Sequence, residues 1–196
     1  MRTRDIGKEQ LIRKEAIKMI VKQGLDGFSI QNLAKAAKVS PATIYIYYKD
    51  KEDLIVTLGA EVFEEVLTHS LKDFSPDMSF AEGLKIQWKN RAAYFMNQPL
   101  KVQFIELLRY SQLHDKIGKK IGPDFKITMT QFVQKAIARK ELVRLPFEVY
   151  WSIAFAPLYQ LIKFHSEGKS HVNEKFKLTD KEMTLSVELV LKALKP

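Results

Sequence analysis

One part of the sequence alternates helix caps with short apolar segments. Ser29 is a good N-cap for one helix, and Ser40, followed by Pro41 at the first helical position, is a good N-cap for the next. These caps predict helices over 30–37 and 41–47, joined by a tight connection. Two short helices joined in this way are typical of a helix-turn-helix, in which the second helix has the size of the DNA major groove.

The rest of the chain repeats apolar residues three and four positions apart, and breakers separate these segments. No convincing strand alternation is present, so the sequence predicts an all-α protein of about nine helices. The predicted helices cover 8–23, 30–37, 41–47, 51–71, 79–97, 99–113, 123–140, 146–167 and 179–194. Gly24 is expected to end the first helix as a left-handed cap. Capping boxes are expected at Ser79 with Glu82 and at Thr179 with Glu182.

These helices predict two domains. Residues 1–54 form an N-terminal three-helix helix-turn-helix domain, and residues 55–196 form a larger C-terminal helical bundle. The helix over 51–71 links them. The apolar residues flanking the two short helices are expected to pack with the first helix as a small core. They are Phe28, Ile30, Leu33, Val39, Ile44 and Tyr48.

Composition excludes several classes of function. The chain has no cysteine, so it has no disulfide, thiolate zinc site or cysteine nucleophile. No glycine-rich phosphate loop, nucleophile elbow or metal-ligand cluster occurs, so no catalytic residue, metal or cofactor is predicted. The start of the chain lacks the apolar stretch of a signal peptide, and the longest apolar stretch is too short to span a membrane. We therefore expect a cytoplasmic protein that is not an enzyme.

The outward side chains of the second short helix are suited to DNA. Hydroxyl and ammonium groups bind phosphate oxygens, and small apolar side chains suit the methyl group of thymine. No acidic residue lies between Asp26 and Asp50, whereas three lysines do. The candidate DNA-binding residues are Ser29, Gln31, Ser40, Pro41, Ala42, Thr43, Tyr45, Tyr47 and Lys51. Ser29 and Ser40 are helix caps in any case, and Lys51 could be an ordinary solvated lysine.

The pattern resembles the TetR family of transcriptional regulators. The matching residues are Gly24, Ile30 to Ala37, Val39-Ser40, Thr43-Ile44-Tyr45, Tyr48, Lys51-Glu52 and Leu54. The resemblance implies that Tyr45, Tyr47 and Lys51 contact phosphates, and that residues 41–43 face base edges. It also implies a repressor that binds a palindromic operator as a dimer. Three positions depart from the family pattern: Tyr47 replaces a usual histidine, Ile46 an often polar residue and Lys38 a preferred glycine.

The last two predicted helices carry more apolar surface than one face can hold. Twelve of the sixteen residues over 149–164 are apolar, and Leu185 and Leu189 point away from the apolar face formed by the other large residues of the last helix. Exposing so much apolar surface is costly. We therefore predict that the eighth and ninth helices form a homodimer interface, as the resemblance also implies. A buried central helix in a monomer is the alternative.

Aromatic residues are frequent in the C-terminal part, and the resemblance implies a cavity for a small apolar or aromatic effector there. Pro157 is expected to kink the eighth helix and help to open it. The candidate lining residues are Trp88, Phe95, Phe132, Trp151 and Phe155. For each of these residues taken alone, ordinary core packing is the better explanation, and Arg91 and Arg109 could meet either an anionic head group or solvent.

Two further points stay open on the sequence alone. Arg2, Arg4 and Lys8 could contact phosphates or the minor groove, or could belong to a disordered tail. The alternative to a DNA-binding regulator is an all-helical module that binds lipid or protein without specific DNA recognition.

Overall fold

The computed structural model describes residues 5–196 of the chain, and within them it contains ten helices and no strand. The helices are α1 (Ile6–Gly27), α2 (Ile30–Ala36), α3 (Pro41–Ile44), α4 (Lys51–Ser70), α5 (Phe80–Asn97), α6 (Pro99–Arg109), α7 (His114–Lys120), α8 (Asp124–Ala138), α9 (Phe147–Glu167) and α10 (Asp180–Leu194). The predicted all-α fold is confirmed. The eighth and ninth predicted helices correspond to α9 and α10.

Side-chain caps start the helices where the sequence predicted them. The hydroxyl oxygen of Ser29 accepts from the N–H of Asn32 at 3.2 Å, and that of Ser40 accepts from the N–H of Thr43 at 3.2 Å. Thr179 forms a capping box with Glu182 at the start of α10. These bonds satisfy backbone donors that have no partner inside the helix.

The helix α3 is shorter than predicted. It ends at Ile44 rather than at residue 47 because the following backbone forms i→i+3 hydrogen bonds. The N–H of Ile46 donates to the carbonyl of Thr43 at 3.2 Å, and the N–H of Tyr47 donates to the carbonyl of Ile44 at 3.0 Å. Such bonds tighten a helix end into a 3₁₀-like turn.

The prediction also missed one helix. The sixth helix ends at Arg109 rather than at residue 113, and α7 lies in a stretch that was expected to be irregular. A single buried side chain, Ile117, anchors α7, and lysines and a glycine surround it. Because α7 contains only one large apolar residue, its sequence has no apolar repeat from which a helix could be predicted.

Gly24 interrupts α1 rather than ending it as a left-handed cap. Its φ of 74° and ψ of 172° lie in a region that is essentially restricted to glycine, and helical residues follow it up to Gly27. The prediction that the chain needs glycine here is correct, but its assignment as a left-handed helix cap was wrong. The bend directs the chain into the buried Phe28 and the cap at Ser29.

The chain forms two compact units. The first, called the N-terminal unit, comprises residues 5–65 and Gln98–Gly122. The second, called the C-terminal unit, comprises Val66–Asn97 and Pro123–Pro196. Thus α6 and α7 group with the helix-turn-helix, and α6 packs against α1. The functional division at residue 54 stays a prediction.

The C-terminal unit is built around α5 and α9, which pack against each other. The helix α10 packs on both of them, and α8 contacts α5. The helix α9 continues through Pro157 to Glu167, and its Ala154 carbonyl accepts a hydrogen bond of 2.8 Å from the indole N–H of Trp88. Among the residues that the structure describes, no helix is long and apolar enough to cross a membrane.

Candidate nucleic-acid interface

The inward side chains of the helix-turn-helix hold α3 in place. Ile44 and Tyr48 are buried, together with Phe28 and Leu33. Val39, predicted to belong to this small core, is half-buried. The hydroxyl group of Tyr48 accepts a 3.2 Å hydrogen bond from Nε of Arg13, so it also ties the turn to α1. The predicted core is confirmed, and Tyr48 belongs to it rather than to the outer surface.

The outward side chains of α3 are uncovered within the N-terminal unit. Pro41 and Ala42 are exposed, and Tyr45 and Ile46 are 52% and 42% exposed. Thr43 is half-buried, and its hydroxyl group lies 2.9 Å from that of Ser40. The structure therefore brings the apolar tip of α3 and one tyrosine to the same surface.

Tyr47 has a partner inside the protein. Its hydroxyl group donates to the carbonyl of Asp5 at 3.1 Å and accepts from the N–H of Asp5 at 3.0 Å. The two bonds fix the start of α1 beside the turn that follows α3. The predicted contact of Tyr47 with phosphate stays a prediction, and a phosphate would have to compete for this hydroxyl group.

Lys51 begins α4, with Nζ 5.8 Å from the centre of the Phe28 ring. The two carboxylates that follow it are paired with lysines of α7. Glu52 pairs with Lys116, and Oδ1 of Asp53 lies 3.4 Å from Nζ of Lys120. These lysines offset negative charge that would otherwise oppose a phosphate near Lys51.

The carboxylate of Asp53 is further stabilised by its own helix start. The N–H of Lys49 donates to it at 3.0 Å, and this bond is the main reason why the pKa of Asp53 lies below its ordinary value. Asp50, the expected cap, accepts from the N–H of Asp53 at 2.8 Å. The start of α4 is therefore held by side chains on both sides of Lys51.

The remaining predicted residues surround α3. Gln31 and Ser40 are exposed, and Ser29 is half-buried as a cap. The sequence analysis did not name Ile46 as a candidate and noted the three lysines only as a group. Lys35, Lys38 and Lys49 are all exposed. Arg2 and Arg4 lie outside the described residues. Lys8 forms an ion pair of 3.2 Å with Asp5.

The aromatic residues predicted to line a cavity lie in the C-terminal unit and are mostly packed. Trp88, Phe95, Phe132 and Phe155 are buried, and Trp151 is half-buried. The rings of Trp151 and Phe155 pack at a tilt with their centres 4.6 Å apart. Phe132 packs with Phe74 and Phe80, at 4.9 and 5.8 Å. Tyr150 lies 6.4 Å from Phe80 and 6.4 Å from Phe155, so it links the two groups into one aromatic cluster.

Arg91 lies beside Trp151 and Phe155 and is 2% exposed. Its guanidinium carbon is 4.6 Å from the centre of the Phe155 ring and 5.4 Å from that of Trp151. Its Nη1 donates to the hydroxyl oxygen of Tyr159 at 2.9 Å. Arg109, the other arginine noted in the sequence, is instead paired with Glu106 at 3.2 Å and partly exposed.

A different concave region lies at the surface of this unit. An open groove of about 450 Å³ is lined by Ser79, Phe80, Ala81, Lys85, Lys140, Glu141, Glu188, Leu191, Lys192 and Lys195. None of the five predicted cavity residues lines it. Between residues 5 and 196 there is no group of three or more histidine or acidic side chains that could hold a metal ion.

A helix-turn-helix with an uncovered second helix, combined with a larger helical part, defines the architecture of a helical DNA-binding regulator. Residues 12–58 match the model of the bacterial regulatory proteins of the tetR family. The resemblance to the TetR family predicted from the sequence is therefore confirmed over these residues.

Comparison with individual proteins agrees with this assignment. An uncharacterised helix-turn-helix transcriptional regulator of Haemophilus influenzae is 32% identical over 82 residues, which are 42% of this chain and 44% of that relative. The match therefore spans less than half of the relative. A TetR-family transcriptional regulator from the same organism has the same fold over both whole chains, with a TM-score of 0.80 and 20% identity.

A second solved structure carries a ligand. FadR from Bacillus subtilis, in complex with stearoyl-CoA, aligns over 95% of this chain and 99% of its own with a TM-score of 0.71. Its sequence is 19% identical, so the likeness is one of fold.

Proposed function

We propose that this protein is a transcriptional repressor that binds a palindromic DNA site as a dimer and is released by a small effector. The observation that carries the proposal is the two-sided packing of α3. Ile44 is completely buried whereas Tyr45 is 52% exposed, so the helix is held from inside and free outside. A helix that served only the core would have its outer face covered. The proposed protein is a binding protein without catalytic residues.

The two kinds of DNA contact are assigned to different residues. Lys51 and Tyr45 contact phosphates, with Tyr47 joining them if its bonds to Asp5 open. Residues 41–43 approach base edges. Phosphate contacts position a protein without reading sequence, whereas contacts to base edges select it.

The assignment predicts different effects for two substitutions. A preferred site is first selected from random duplex DNA, and affinity is then measured against salt concentration. Lys51→Ala is expected to weaken binding to all sequences alike and to lower the salt dependence by about one phosphate contact. Thr43→Ala is expected to reduce the preference at one base pair by about 1–3 kcal/mol while nonspecific binding persists.

Two matched variants control for side effects. Lys175→Ala removes an exposed lysine from the C-terminal unit and is expected to leave binding unchanged. Thr43→Ser keeps the hydroxyl group that contacts Ser40, so it separates a loss of cap geometry from a loss of the methyl group. Wild-type binding by both Lys51→Ala and Thr43→Ala would show that the assigned surface is wrong. Equal affinity for selected and random duplex would favour the lipid-binding or protein-binding alternative.

The proposed dimer uses one face of α9 and α10. Leu185 and Leu189 of α10 are 61% and 55% exposed, whereas Val187 and Val190 are buried. On α9, Val149 is 42% exposed, and Ser152, Ala156 and Gln160 follow on exposed positions. An exposed stripe of leucine beside small side chains supports close packing of a second copy. Two copies related by a two-fold axis suit a palindromic site.

The effector is assigned to the C-terminal unit. The stearoyl-CoA complex of FadR, which has the same fold, supports a ligand-binding role for a chain of this fold. The helix α4 runs through residue 65, where the two units meet along the sequence, and is suited to transmit a change. Such a switch requires that the effector bind one conformation more tightly than the other.

A further inference from the structure

Arg91 is a buried positive charge without a negative partner. It is 2% exposed, and none of the carboxylates between residues 5 and 196 forms an ion pair with it. Among the described residues, its guanidinium group forms one hydrogen bond, to Tyr159, and Nε and Nη2 have no partner there. Buried charges are normally paired, because an unpaired charge loses its hydration without compensation.

The two unpartnered nitrogens form one edge of the guanidinium group. Nε–H and the adjacent Nη2–H are parallel donors, and this edge matches the two oxygens of a carboxylate. Nη1, on the other side, is already used by Tyr159. The rings of Trp151 and Phe155 hold the guanidinium plane and restrict its rotation.

Further polar groups near Arg91 also lack partners. Gln87 lies one turn before Arg91 on α5 and is completely buried, and both its amide nitrogen and its amide oxygen lack a hydrogen bond within the described part of the chain. The hydroxyl group of Tyr150 on α9 is likewise buried and unpartnered. Burial raises the pKa of Tyr150, although the charge of Arg91 opposes this, so the hydroxyl group keeps its proton.

The surroundings of these polar groups are aromatic. Phe125 and Trp151 are half-buried, and their ring centres lie 5.9 and 5.4 Å from the guanidinium carbon. Trp151 in turn contacts the ring of Phe147, which is 65% exposed, with ring centres 5.7 Å apart. These rings therefore connect Arg91 with the exposed surface. A ligand that enters there needs an apolar body and one anionic end.

We propose that the effector is a small carboxylate with an apolar or aromatic body, bound by the Nε–Nη2 edge of Arg91. This rests on the proposed effector-responsive function and names the chemical class of the ligand. Gln87 and Tyr150 supply additional hydrogen bonds to the carboxylate or to a neighbouring polar group. The bound carboxylate neutralises a charge that the protein leaves unmatched.

The test uses the DNA-free protein and matched pairs of probes. Octanoate is compared with 1-octanol, and phenylacetate with 2-phenylethanol, by calorimetry and tryptophan fluorescence at pH 7.5. At least one acid is expected to bind about tenfold or more tightly than its alcohol, which corresponds to a hydrogen bond to a charged group. It is also expected to raise the thermal midpoint. If neither acid is preferred over its alcohol, the proposal is wrong.

Substitution of Arg91 separates binding from structure. Arg91→Met keeps an unbranched apolar side chain and removes the charged guanidinium group, so it is expected to abolish the preference for acid and to leave the ligand-free thermal midpoint unchanged or higher. A clear fall in that midpoint with retained acid preference would assign Arg91 to structure alone and overturn the proposal. Arg109→Met is the control and is expected to keep the acid preference.

Arg91→Lys keeps the charge but lacks the two-donor edge. It is expected to bind the acid at least fivefold more weakly than wild type. If Arg91→Met does not fold, this variant tests instead whether Arg91 binds the carboxylate. Acid binding without release from DNA would leave this inference standing and contradict the effector part of the proposed function. Specific DNA binding without acid preference would contradict this inference alone.

Discussion

Two lysines adopt a backbone conformation that favours glycine. Lys38 has a φ of 54° and Lys140 a φ of 57°, and each lies just beyond a helix end. After α2, the N–H of Val39 donates to the carbonyl of Ala34 and the N–H of Lys38 to that of Lys35. This pair of bonds is a Schellman motif, and the same pattern follows α8 around Lys140. Lys38, which stands where the family prefers glycine, therefore preserves the turn, but its backbone conformation is less favourable than it would be for glycine.

Replacement of either lysine by glycine is expected to stabilise the protein. The left-handed conformation costs a residue with a Cβ atom about 1–2 kcal/mol, and glycine avoids this cost but loses more entropy on folding. We expect Lys38→Gly and Lys140→Gly each to raise the free energy of unfolding by about 0.5–1 kcal/mol, measured by urea denaturation.

The matched control changes the same residue type inside a helix. Lys22 lies within α1, so Lys22→Gly is expected to lower the free energy of unfolding by about 1 kcal/mol. A destabilising effect of Lys38→Gly would mean that the lysine side chain contributes more than its backbone costs.

At the scale of helices, α5 and α8 approach each other closely at Gly83. A Cβ atom at this position would lie 2.5 Å from two ring atoms of Phe132. That ring is completely buried and is held between Phe74 and Phe80, so it has no room to retreat. Alanine is the better helix former, but the overlap dominates because it involves a fixed ring.

Gly83→Ala is therefore expected to lower the free energy of unfolding by about 1–3 kcal/mol. Thermal or urea denaturation measures the change. Gly118→Ala in α7 is the control, because no atom lies within 4 Å of its added Cβ, and it is expected to be neutral or stabilising. The double variant Gly83→Ala with Phe132→Leu is expected to relieve part of the overlap. An unchanged Gly83→Ala protein would show that α5 and α8 separate easily.

Helices with caps were predictable, whereas α7 and the end of α3 were not. Ser29, Ser40 and Thr179 act on their own next few residues, so their effect is visible in the local sequence. The helix α7 depends on contacts with residues far away in the chain, such as that of Ile117 with the α4 position of Gly59 and the ion pairs of Lys116 and Lys120 with α4. A local pattern contains no information about such a contact.

At the scale of the whole molecule, the proposed dimer depends on exposed leucines of α10. Leu189→Glu is expected to convert a dimer into a monomer at micromolar concentration, because burying two carboxylates across a two-fold axis is unfavourable. Light scattering after size-exclusion chromatography measures the mass. Affinity for a palindromic site is expected to fall with it.

The control uses a leucine with similar exposure elsewhere. Leu107 of α6 is 40% exposed and lies in the N-terminal unit, so Leu107→Glu is expected to leave the mass unchanged. A wild-type protein that is monomeric at these concentrations would contradict the proposed interface.

The helical class, the helix-turn-helix and the exposure of Pro41, Ala42 and Tyr45 followed from the sequence because caps, small residues and apolar spacing act over a few positions. Other features depend on packing between distant residues. The hydroxyl group of Tyr47 binds Asp5, 42 positions away, and Arg91 became a buried charge through rings of α8 and α9. Whether a charged side chain is solvated or buried depends on which helices cover it, and that is decided only when the whole chain has packed.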